Sequence, residues 1–384
     1  SPLIARLLND ASLTRYVAFV AIVIFFQAYY PIYVQFLSGM HQFTRQALVT
    51  SLYAVIKLIS ALGLLLVLGV YGAFSGFAVG GIIAALIGRH WTRDIGGNKK
   101  KHLPLKSFLS FAGLYVAILM GLQLLMSLDL FMVKALLRND VQAGYYNAAT
   151  SLARISYLLL QGLTFVLLPS VSALTRPGAS HVEATEFIKE TMRYLIALIV
   201  PSVVIGAATS KSLLLLFFFS TREYVAAAPV LTVLMIGIGA LGFYLLLANI
   251  VAGAGRAKIG FYITASMIAA SALLGWFLIP QFGLIGAAWQ TTLVSGAGLL
   301  VLGTYTFKVF RIPFPLKSVL NVLIATFIAV LPTYFWQASV LLLPVLYIVL
   351  FAVYILVLLF LGEISYGDRS RLARLHPKLS WLAR

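Results

Sequence analysis

The amino-acid sequence predicts an all-α membrane protein with about eleven transmembrane helices. Of its 384 residues, 62% are hydrophobic and only 10% are charged, and the mean hydropathy is +1.02. An average soluble domain carries roughly a quarter charged residues. Apolar runs of about 20 residues, the length that crosses about 30 Å of hydrocarbon, fill more than half of the chain. Because no room is left for a soluble catalytic domain, we do not expect an enzyme.

Eleven apolar runs are the predicted spans. They are hydrophobic on all faces and lack the polar–apolar alternation of a membrane β-barrel, so they are predicted to be helices. Turns rich in Gly, Pro and Asn separate them. The predicted spans are Tyr16 to Val34, Ala47 to Leu68, Tyr71 to Ile87, Phe108 to Phe131, Ala143 to Leu168, Tyr194 to Ala208, Val225 to Ala252, Ile259 to Ile279, Leu284 to Phe307, Val319 to Trp336, and Leu341 to Leu361.

The positions of Lys and Arg predict the orientation of these spans. When the connections are assigned to alternate sides, 20 of the 28 basic residues fall on one side and 6 on the other, while Lys57 and Arg154 lie within spans. Cytoplasmic loops of membrane proteins carry an excess of Lys and Arg, so the side with 20 basic residues is predicted to be cytoplasmic. The sequence thus predicts a multi-pass protein of the cytoplasmic (inner) membrane, with its first span entering from outside and its C-terminus in the cytoplasm.

An internal repeat predicts that helices precede the chain. Gly72 lies 27 residues after Arg45, and Gly283 lies 27 residues after Arg256, each glycine preceded by an aromatic residue. This offset of 211 residues matches spans two and three with spans eight and nine. The chain also starts without Met and without a signal peptide. We expect an N-terminally truncated sequence that lacks about three helices, from a parent protein of fourteen.

Composition excludes several kinds of chemistry. The chain has no Cys, which excludes disulfide scaffolds, Cys-ligated zinc and thiol catalysis. Its five His are scattered without a metal-ligand spacing, so we expect no metal, no cofactor and no catalytic residue. The basic runs from Arg89 to Lys106 and from Arg369 to Arg384 are not accompanied by an aromatic-interleaved nucleic-acid-binding module. They are predicted to contact anionic lipid headgroups, and no nucleic acid.

Several short motifs, in order and at consistent spacing, carry a resemblance to a known superfamily. They are Ser127 to Phe131 closing one helix, Gly144 to Ala149 opening the next, Leu168 to Ser172 ending it, and Ala252 to Arg256 after a later span. With the aromatic–Gly turns, these motifs resemble the polysaccharide and O-antigen flippase branch of the multidrug/oligosaccharidyl-lipid/polysaccharide exporter superfamily, which includes the MATE-like transporters.

The resemblance implies a fourteen-helix transporter of two six-helix lobes and a C-terminal helix pair. Residues 1–105 would then be the remaining part of the N-terminal lobe, about three helices, with the cytoplasmic loop between the lobes. Residues 106–311 would form the C-terminal lobe. Residues 312–384 would form the helix pair and a basic cytoplasmic tail.

The function implied by the resemblance is a flippase. It would translocate polyprenyl-pyrophosphate-linked oligosaccharides, the O-antigen or exopolysaccharide repeat units of lipopolysaccharide and polysaccharide biosynthesis, by alternating access between two lobes. Its partners would be the lipid-linked substrate, membrane lipids and polysaccharide assembly proteins. One alternative is a cation-coupled multidrug antiporter of the same superfamily, and another is a membrane-embedded polysaccharide polymerase or ligase.

Two basic residues deep within spans are the candidate substrate-binding residues. Lys57 and Arg154 each lie 11 residues inside a helix, about 16 Å deep and near the midplane, one in each predicted lobe. Inserting a basic residue at the centre of a membrane span costs about 2.5 to 3.5 kcal/mol of free energy, so a favourable interaction must compensate for it. One interpretation is a cationic cavity for a pyrophosphate, to which Arg offers two parallel hydrogen bonds and Lys a point charge.

The alternative interpretation is pairing within the membrane. Asp129 lies about one helical turn less deep than Arg154 on the preceding helix, so it could pair with Arg154 or act in gating. Lys57 could extend to the interface or pair with a missing helix. Gln123, Gln161 and Asn249 could line the same cavity, and interhelical hydrogen bonding is the competing explanation for each.

The orientation gives a direct test. Because basic residues are retained in the cytoplasm, the C-terminus is expected to lie there. A fluorescent protein fused after Arg384 should therefore be bright, and alkaline phosphatase fused at the same position should be inactive. Matched alkaline phosphatase and fluorescent protein fusions would measure this. Phosphatase activity with a dark fluorescent fusion would reverse the topology and every assignment of a side.

Overall fold

The computed structural model describes residues 13–93, 105–174, 181–219, 222–312, 315–335 and 342–363. Within those ranges the chain forms helices and no strand. The helices are α1 (Leu13–Gln27), α2 (Tyr29–Gly39), α3 (Phe43–Thr92), α4 (Leu105–Leu137), α5 (Asp140–Leu174), α6 (His181–Ala208), α7 (Ser210–Phe217), a 3₁₀ turn (Arg222–Ala227), α8 (Ala228–Gly253), α9 (Ala257–Val309), α10 (Leu316–Phe335) and α11 (Leu343–Phe360).

The predicted fold class is confirmed. Each of the eleven predicted spans overlaps a helix: spans two and three are the two halves of α3, spans eight and nine are the halves of α9, and α1 and α2 share the first span. Eight helical segments in the described ranges are long and apolar enough to cross a membrane. A helix satisfies its backbone polar groups internally, which is why such sequences are helical in hydrocarbon. The predicted basic tail after Glu363 and the basic segment 94–104 lie outside the described residues.

The chain divides into two compact units, Ser1–Leu103 and Pro104–Arg384. The first contains α1 to α3, with a small core that includes Leu37, Val49 and Ala84. The second contains α4 to α11 around α8, whose residues from Val230 to Ala252 are mostly buried. Helices α4, α5, α6 and α9 supply most of the other buried residues of that core. The predicted division of the second unit into a lobe, 106–311, and a helix pair, 312–384, stays a prediction.

The long helices α3 and α9 each reverse direction at a glycine with a positive φ. Gly69 has φ 58° and ψ −140°, and Gly283 has φ 61° and ψ −136°. Residues with a Cβ rarely adopt this conformation. A second glycine follows three residues later, where the two halves of the hairpin meet. A Cβ on Gly72 would lie 1.9 Å from the Leu64 carbonyl oxygen, and one on Gly286 would lie 2.1 Å from that of Leu278.

The two reversals correct the register of the predicted repeat. The sequence matched Gly72 with Gly283, because both follow an aromatic residue. In the structure Gly69 corresponds to Gly283 and Gly72 to Gly286, so the offset is 214 residues and not 211. A φ near 60° combined with a ψ near −140° strongly favours glycine, whereas the preceding aromatic residue is not required for the turn. The predicted register is therefore wrong by three residues.

The close approach in α9 gives a test of stability. Gly286→Ala should destabilise the protein by about 1 to 3 kcal/mol or more, since its Cβ would overlap the backbone of the facing half-helix. Gly296→Ala is the matched control, because nothing lies within 4 Å of a Cβ at that helical position. It should be neutral or stabilising by up to about 1 kcal/mol. The free energy of unfolding would be measured by SDS titration, and equal values for both variants would contradict the predicted close packing.

Candidate functional site

The carboxylate of Asp129 lies at the junction of three helices of the second unit. Asp129 belongs to α4 and is 0% exposed. The Tyr146 hydroxyl of α5 donates a hydrogen bond of 2.7 Å to its Oδ2. The Thr291 hydroxyl of α9 donates one of 2.9 Å to the same oxygen. The backbone N–H of Leu130 donates one of 2.8 Å to Oδ1.

These three donors explain how a carboxylate is tolerated at this depth. A buried ionised group must be hydrogen-bonded or paired, and bonds to a charged acceptor are stronger than neutral ones. The sequence did not identify Tyr146 or Thr291 as partners of Asp129. Tyr146 lies in the motif that opens α5, but single hydroxyl groups on apolar helices leave no periodic pattern that would reveal a contact.

The Arg154 guanidinium contacts the backbone of α4 and not the carboxylate of Asp129. Its Nη2 donates a hydrogen bond of 2.6 Å to the carbonyl oxygen of Met126. Its Nε is buried and has no hydrogen-bond partner among the described residues. Within the described part of the chain, no hydrogen bond or ion pair joins Arg154 to Asp129. The guanidinium is close enough for its charge to act on the Asp129 carboxylate, but it hydrogen-bonds the backbone turn that precedes Asp129.

Asp129 and Arg154 nevertheless act on the same turn of α4. In a regular α-helix the N–H of Leu130 donates to the carbonyl of Met126. Here the Asp129 side chain accepts from that N–H, and the Arg154 side chain donates to that carbonyl. Two side chains of opposite charge therefore bind the two ends of one backbone hydrogen bond.

The amide side chains predicted as cavity lining differ in their surroundings. Asn249 is 0% exposed, accepts a hydrogen bond of 2.6 Å from the Tyr115 hydroxyl, and donates one of 2.7 Å to the Leu245 carbonyl. Such bonds between helices are typical of structural polar residues in membranes. Gln123 is exposed, and the side chain of Gln161 lies outside the described part of the structure. Their role in a cavity stays a prediction.

A further buried amide lies beside this cluster. Gln290 precedes Thr291 in α9, is 0% exposed, and donates a hydrogen bond of 2.8 Å to the Ser271 hydroxyl. Its Oε1 has no hydrogen-bond partner among the described residues. The polar groups around Asp129 thus continue along α9 towards the other half of its hairpin.

Lys57, in the first unit, is held by aromatic rings. Its Nζ lies 5.2 Å from the centre of the Tyr53 ring and 5.1 Å from that of Phe77. The side chain is partly exposed, and residues 13–93 contain no Asp or Glu. A cation over an aromatic face gains about 0.5 to 2 kcal/mol, more when it is desolvated. The two rings offset part of the cost of burying the charge and leave it without a neutralising carboxylate in the described part of this unit.

The hairpin of α3 creates this arrangement. Tyr53 is one turn before Lys57 on the first half, and Phe77 is on the second half. A Cβ on Gly80 would lie 3.0 Å from the Cα of Lys57, so the two halves approach closely beside the lysine. Tyr53 is fixed in turn by a hydrogen bond from Gln27 and by stacking on Tyr30 at 4.1 Å. The lysine therefore has a defined position in its unit.

The described residues contain no group of three or more His, Cys, Asp or Glu side chains that could hold a metal ion.

The carboxylate network gives a test of stability. Asp129→Ala should cost about 3 kcal/mol or more, because it leaves the buried hydroxyl groups of Tyr146 and Thr291 without the carboxylate that accepts their hydrogen bonds. Asp129→Asn should cost less, since the amide oxygen still accepts one of these bonds. Gln123→Ala, an exposed change on the same helix, should alter the free energy of unfolding by less than about 0.5 kcal/mol. A cost for Asp129→Ala as small as that of the control would contradict the network.

Comparisons with known proteins identify the family and the fold. The model of the family described as polysaccharide biosynthesis protein matches residues 1–229, more than half of the chain. The structure is similar to that of a lipid II flippase, MurJ, in an inward closed conformation, with a TM-score of 0.58 and 20% sequence identity over 84% of this chain and 67% of that one.

It is also similar to the crystal structure of a Vibrio cholerae MATE transporter, VcmN, with a TM-score of 0.69 and 16% identity over 81% of this chain and 73% of that one. No curated protein sequence matches the chain. At these identities the two structures establish the fold alone, while the family match covers the residues that hold Lys57, Asp129 and Arg154. The predicted resemblance is confirmed: the chain belongs to the polysaccharide biosynthesis protein family and has the fold of the multidrug/oligosaccharidyl-lipid/polysaccharide exporter superfamily.

Proposed function

We propose that the protein is a flippase that translocates a polyprenyl-pyrophosphate-linked oligosaccharide across the cytoplasmic membrane by alternating access. Its substrate would be a repeat unit of O-antigen or exopolysaccharide, as in lipopolysaccharide and capsule assembly. The observation that carries the proposal is that neither basic residue of the predicted spans, Lys57 or Arg154, forms a salt bridge or hydrogen bond with a carboxylate among the described residues. Membership of the polysaccharide biosynthesis family supports the sugar, and the fold shared with a lipid II flippase supports a lipid-linked substrate.

Pyrophosphate is the substrate group that these two side chains suit. Arg154 uses one donor on the Met126 carbonyl and has others, among them Nε, that would be available to the oxygens of a phosphate. A guanidinium can donate two parallel hydrogen bonds to a phosphate, whereas an ammonium acts as a point charge. In a site of low dielectric, charge-assisted bonds of this kind are strong. A pyrophosphate diester carries two negative charges, one on each phosphate, so it offers a charged acceptor to either cation.

The lipid tail need not enter the protein in this scheme. The headgroup would bind from the cytoplasmic side, the polyprenyl chain would remain in the bilayer, and rocking of the two lobes would expose the sugar on the outer side. Polysaccharide assembly proteins on either side would supply the lipid-linked unit and take up the product. The cytoplasmic C-terminus belongs to the same proposal.

A cation-coupled multidrug antiporter is the second candidate, favoured by the TM-score of 0.69 to a MATE transporter. Such a protein needs a carboxylate that a cationic drug can reach. Asp129 is the carboxylate within the predicted spans, and it is 0% exposed with three donors already bound. The charges that remain are basic, which argues for an anionic substrate. A polymerase or ligase is supported less, because α4 and α5 are joined by a short turn from Leu137 to Asp140 and not by a catalytic loop.

Loss of the two cations tests the proposal. Lys57→Ala and Arg154→Ala in the full-length protein should each reduce surface polysaccharide by about ten- to a hundredfold, because each removes charged bonds to the phosphate. Lipid-linked repeat units should accumulate on the cytoplasmic leaflet while membrane abundance stays near that of the wild type. Lys57→Arg should retain more activity than Lys57→Ala.

Lys134→Ala is the matched control. Lys134 is an exposed basic residue at the end of α4, and its Nζ lies 3.9 Å from Oδ1 of Asp140. Its loss should leave polysaccharide export unchanged. Normal export by the Lys57→Ala, Arg154→Ala double variant would overturn the proposal.

A further inference from the structure

We infer that helix α5 carries a binding site for sugar hydroxyl groups beside Arg154, formed by the side chains of Asn147 and Ser151. The inference deepens the proposed function and rests on it, because it places the sugar of the lipid-linked substrate next to the pyrophosphate at Arg154. Neither Asn147 nor Ser151 stands out in the sequence, since such residues also occur in membrane helices as links between helices.

Asn147, Ser151 and Arg154 share one face of α5. Their spacing of four and then three residues places them above one another on a helix. Along the helix axis, Ser151 is about 4.5 Å and Asn147 about 10.5 Å from the level of Arg154. A helical side chain points towards the N-terminus of its helix, so the Arg154 side chain extends towards the turn that holds Ser151. The guanidinium and the two neutral polar groups therefore follow one another along this face.

The two neutral side chains are exposed and unbonded within the described part of the chain. Asn147 and Ser151 are exposed, and Arg154 is partly exposed. No hydrogen bond joins the Asn147 amide or the Ser151 hydroxyl to another described residue. Their donors and acceptors are therefore available to a molecule outside these residues.

The buried hydroxyl groups of the same helix behave differently. The Thr150 hydroxyl donates a hydrogen bond of 2.9 Å to the Tyr146 carbonyl, and the Ser156 hydroxyl lies 3.4 Å from the sulfur of Met235. Thr150 uses the backbone carbonyl four residues earlier, a bond that the neighbouring Ser151 does not form. In α5 the buried hydroxyl groups thus have partners within the protein, whereas the polar face around Arg154 does not supply its own.

This face needs a polar partner, because it lies within the predicted span from Ala143 to Leu168. An amide or hydroxyl group without a hydrogen bond is costly in hydrocarbon, and a basic side chain is more so. Lipid tails therefore cannot cover Asn147, Ser151 and Arg154 without a large cost. Water and a polar substrate are the partners that satisfy all three side chains.

Sugar is the part of the proposed substrate that suits the two neutral side chains. An amide and a hydroxyl group each donate and accept hydrogen bonds, as a sugar hydroxyl group does. Ionised phosphate oxygens only accept, so they would leave the acceptors of Asn147 and Ser151 unused. Arg154 would then bind the pyrophosphate common to lipid-linked sugars, while Asn147 and Ser151 distinguish the sugar. A site that hydrogen-bonds a substrate hydroxyl group discriminates against an analogue that lacks it.

Access of water to this face is the first test. Asn147→Cys and Ser151→Cys, each in a cysteine-free version of the full-length protein, should react with a membrane-impermeant maleimide in proteoliposomes. The lipid-linked repeat unit purified from the producing cells should slow this reaction about tenfold at about ten times its Kd. Ala153→Cys is the control, because Ala153 is 0% exposed and should not react. Absence of labelling at both Asn147 and Ser151 would overturn the inference, since lipid or another helix would then cover the face.

The affinity for two lipids is the second test. The first lipid is the repeat unit on polyprenyl pyrophosphate, and the second is polyprenyl pyrophosphate without sugar. Asn147→Ala and Ser151→Ala should each weaken binding of the first lipid about three- to tenfold, the effect of one lost hydrogen bond. Both should leave the Kd of the second lipid unchanged, and Ser151→Thr, which keeps the hydroxyl group, should lose less than Ser151→Ala.

Gln142→Ala is the matched control for the amide. Gln142 is an exposed residue of α5, and its position is about 140° around the helix from Asn147. Its loss should leave the Kd of both lipids unchanged. Thermal unfolding would confirm that each variant is folded, which is expected because Asn147 and Ser151 bond no other described residue.

Arg154→Ala separates the inference from the proposed function. It should weaken binding of both lipids, because both carry the pyrophosphate. If it does so while Asn147→Ala and Ser151→Ala change neither affinity, or weaken both lipids equally, the sugar site is refuted and the proposed function stands. Wild-type affinity of Arg154→Ala for both lipids would contradict the proposed function itself.

Discussion

Burial of the Asp129 carboxylate in the hydrocarbon region is the constraint on which the second unit depends. A carboxylate without donors could not remain ionised there, and the three donors come from α4, α5 and α9. The geometry of the bonds fixes how those helices face each other more specifically than apolar packing does, since lipid and Leu side chains are equally apolar. Arg154 donates to the carbonyl of Met126, on the turn of α4 that precedes Asp129.

The basic side chains of the two units are stabilised by different contacts. Arg154 binds a backbone carbonyl, whereas Lys57 lies between the rings of Tyr53 and Phe77. Neither cation forms a salt bridge or hydrogen bond with a carboxylate among the described residues. The reversal at Gly69 supports the position of Lys57, because it brings the two halves of α3 into contact.

The membrane-spanning helices could be predicted from the sequence, because they depend on the length and composition of apolar runs. The eleven spans follow from run length and composition, because a helix must be long and apolar enough to cross the bilayer. The sequence also singled out Lys57, Arg154 and Asp129, since charges are conspicuous in such runs. Contacts were harder to predict. Asp129 and Arg154 were placed one turn apart in depth, but depth does not reveal which side chain, carbonyl or hydroxyl group faces the guanidinium. The register of the repeat failed for a similar reason, because the aromatic residue beside Gly72 is more visible than the backbone strain at Gly69.

The central claim is that positioned cations recognise the pyrophosphate of a lipid-linked sugar. The most direct measurement is translocation by the purified full-length protein in proteoliposomes, with two lipids that carry the same oligosaccharide on the same polyprenyl chain. One lipid has a pyrophosphate linkage, and the other has a neutral linkage of similar length. Appearance of the sugar on the opposite leaflet would be followed with an impermeant sugar-binding probe. The account predicts transport of the pyrophosphate lipid at least about tenfold faster than of the neutral lipid, the effect of one lost charge-assisted interaction. Equal rates for the two lipids would contradict it.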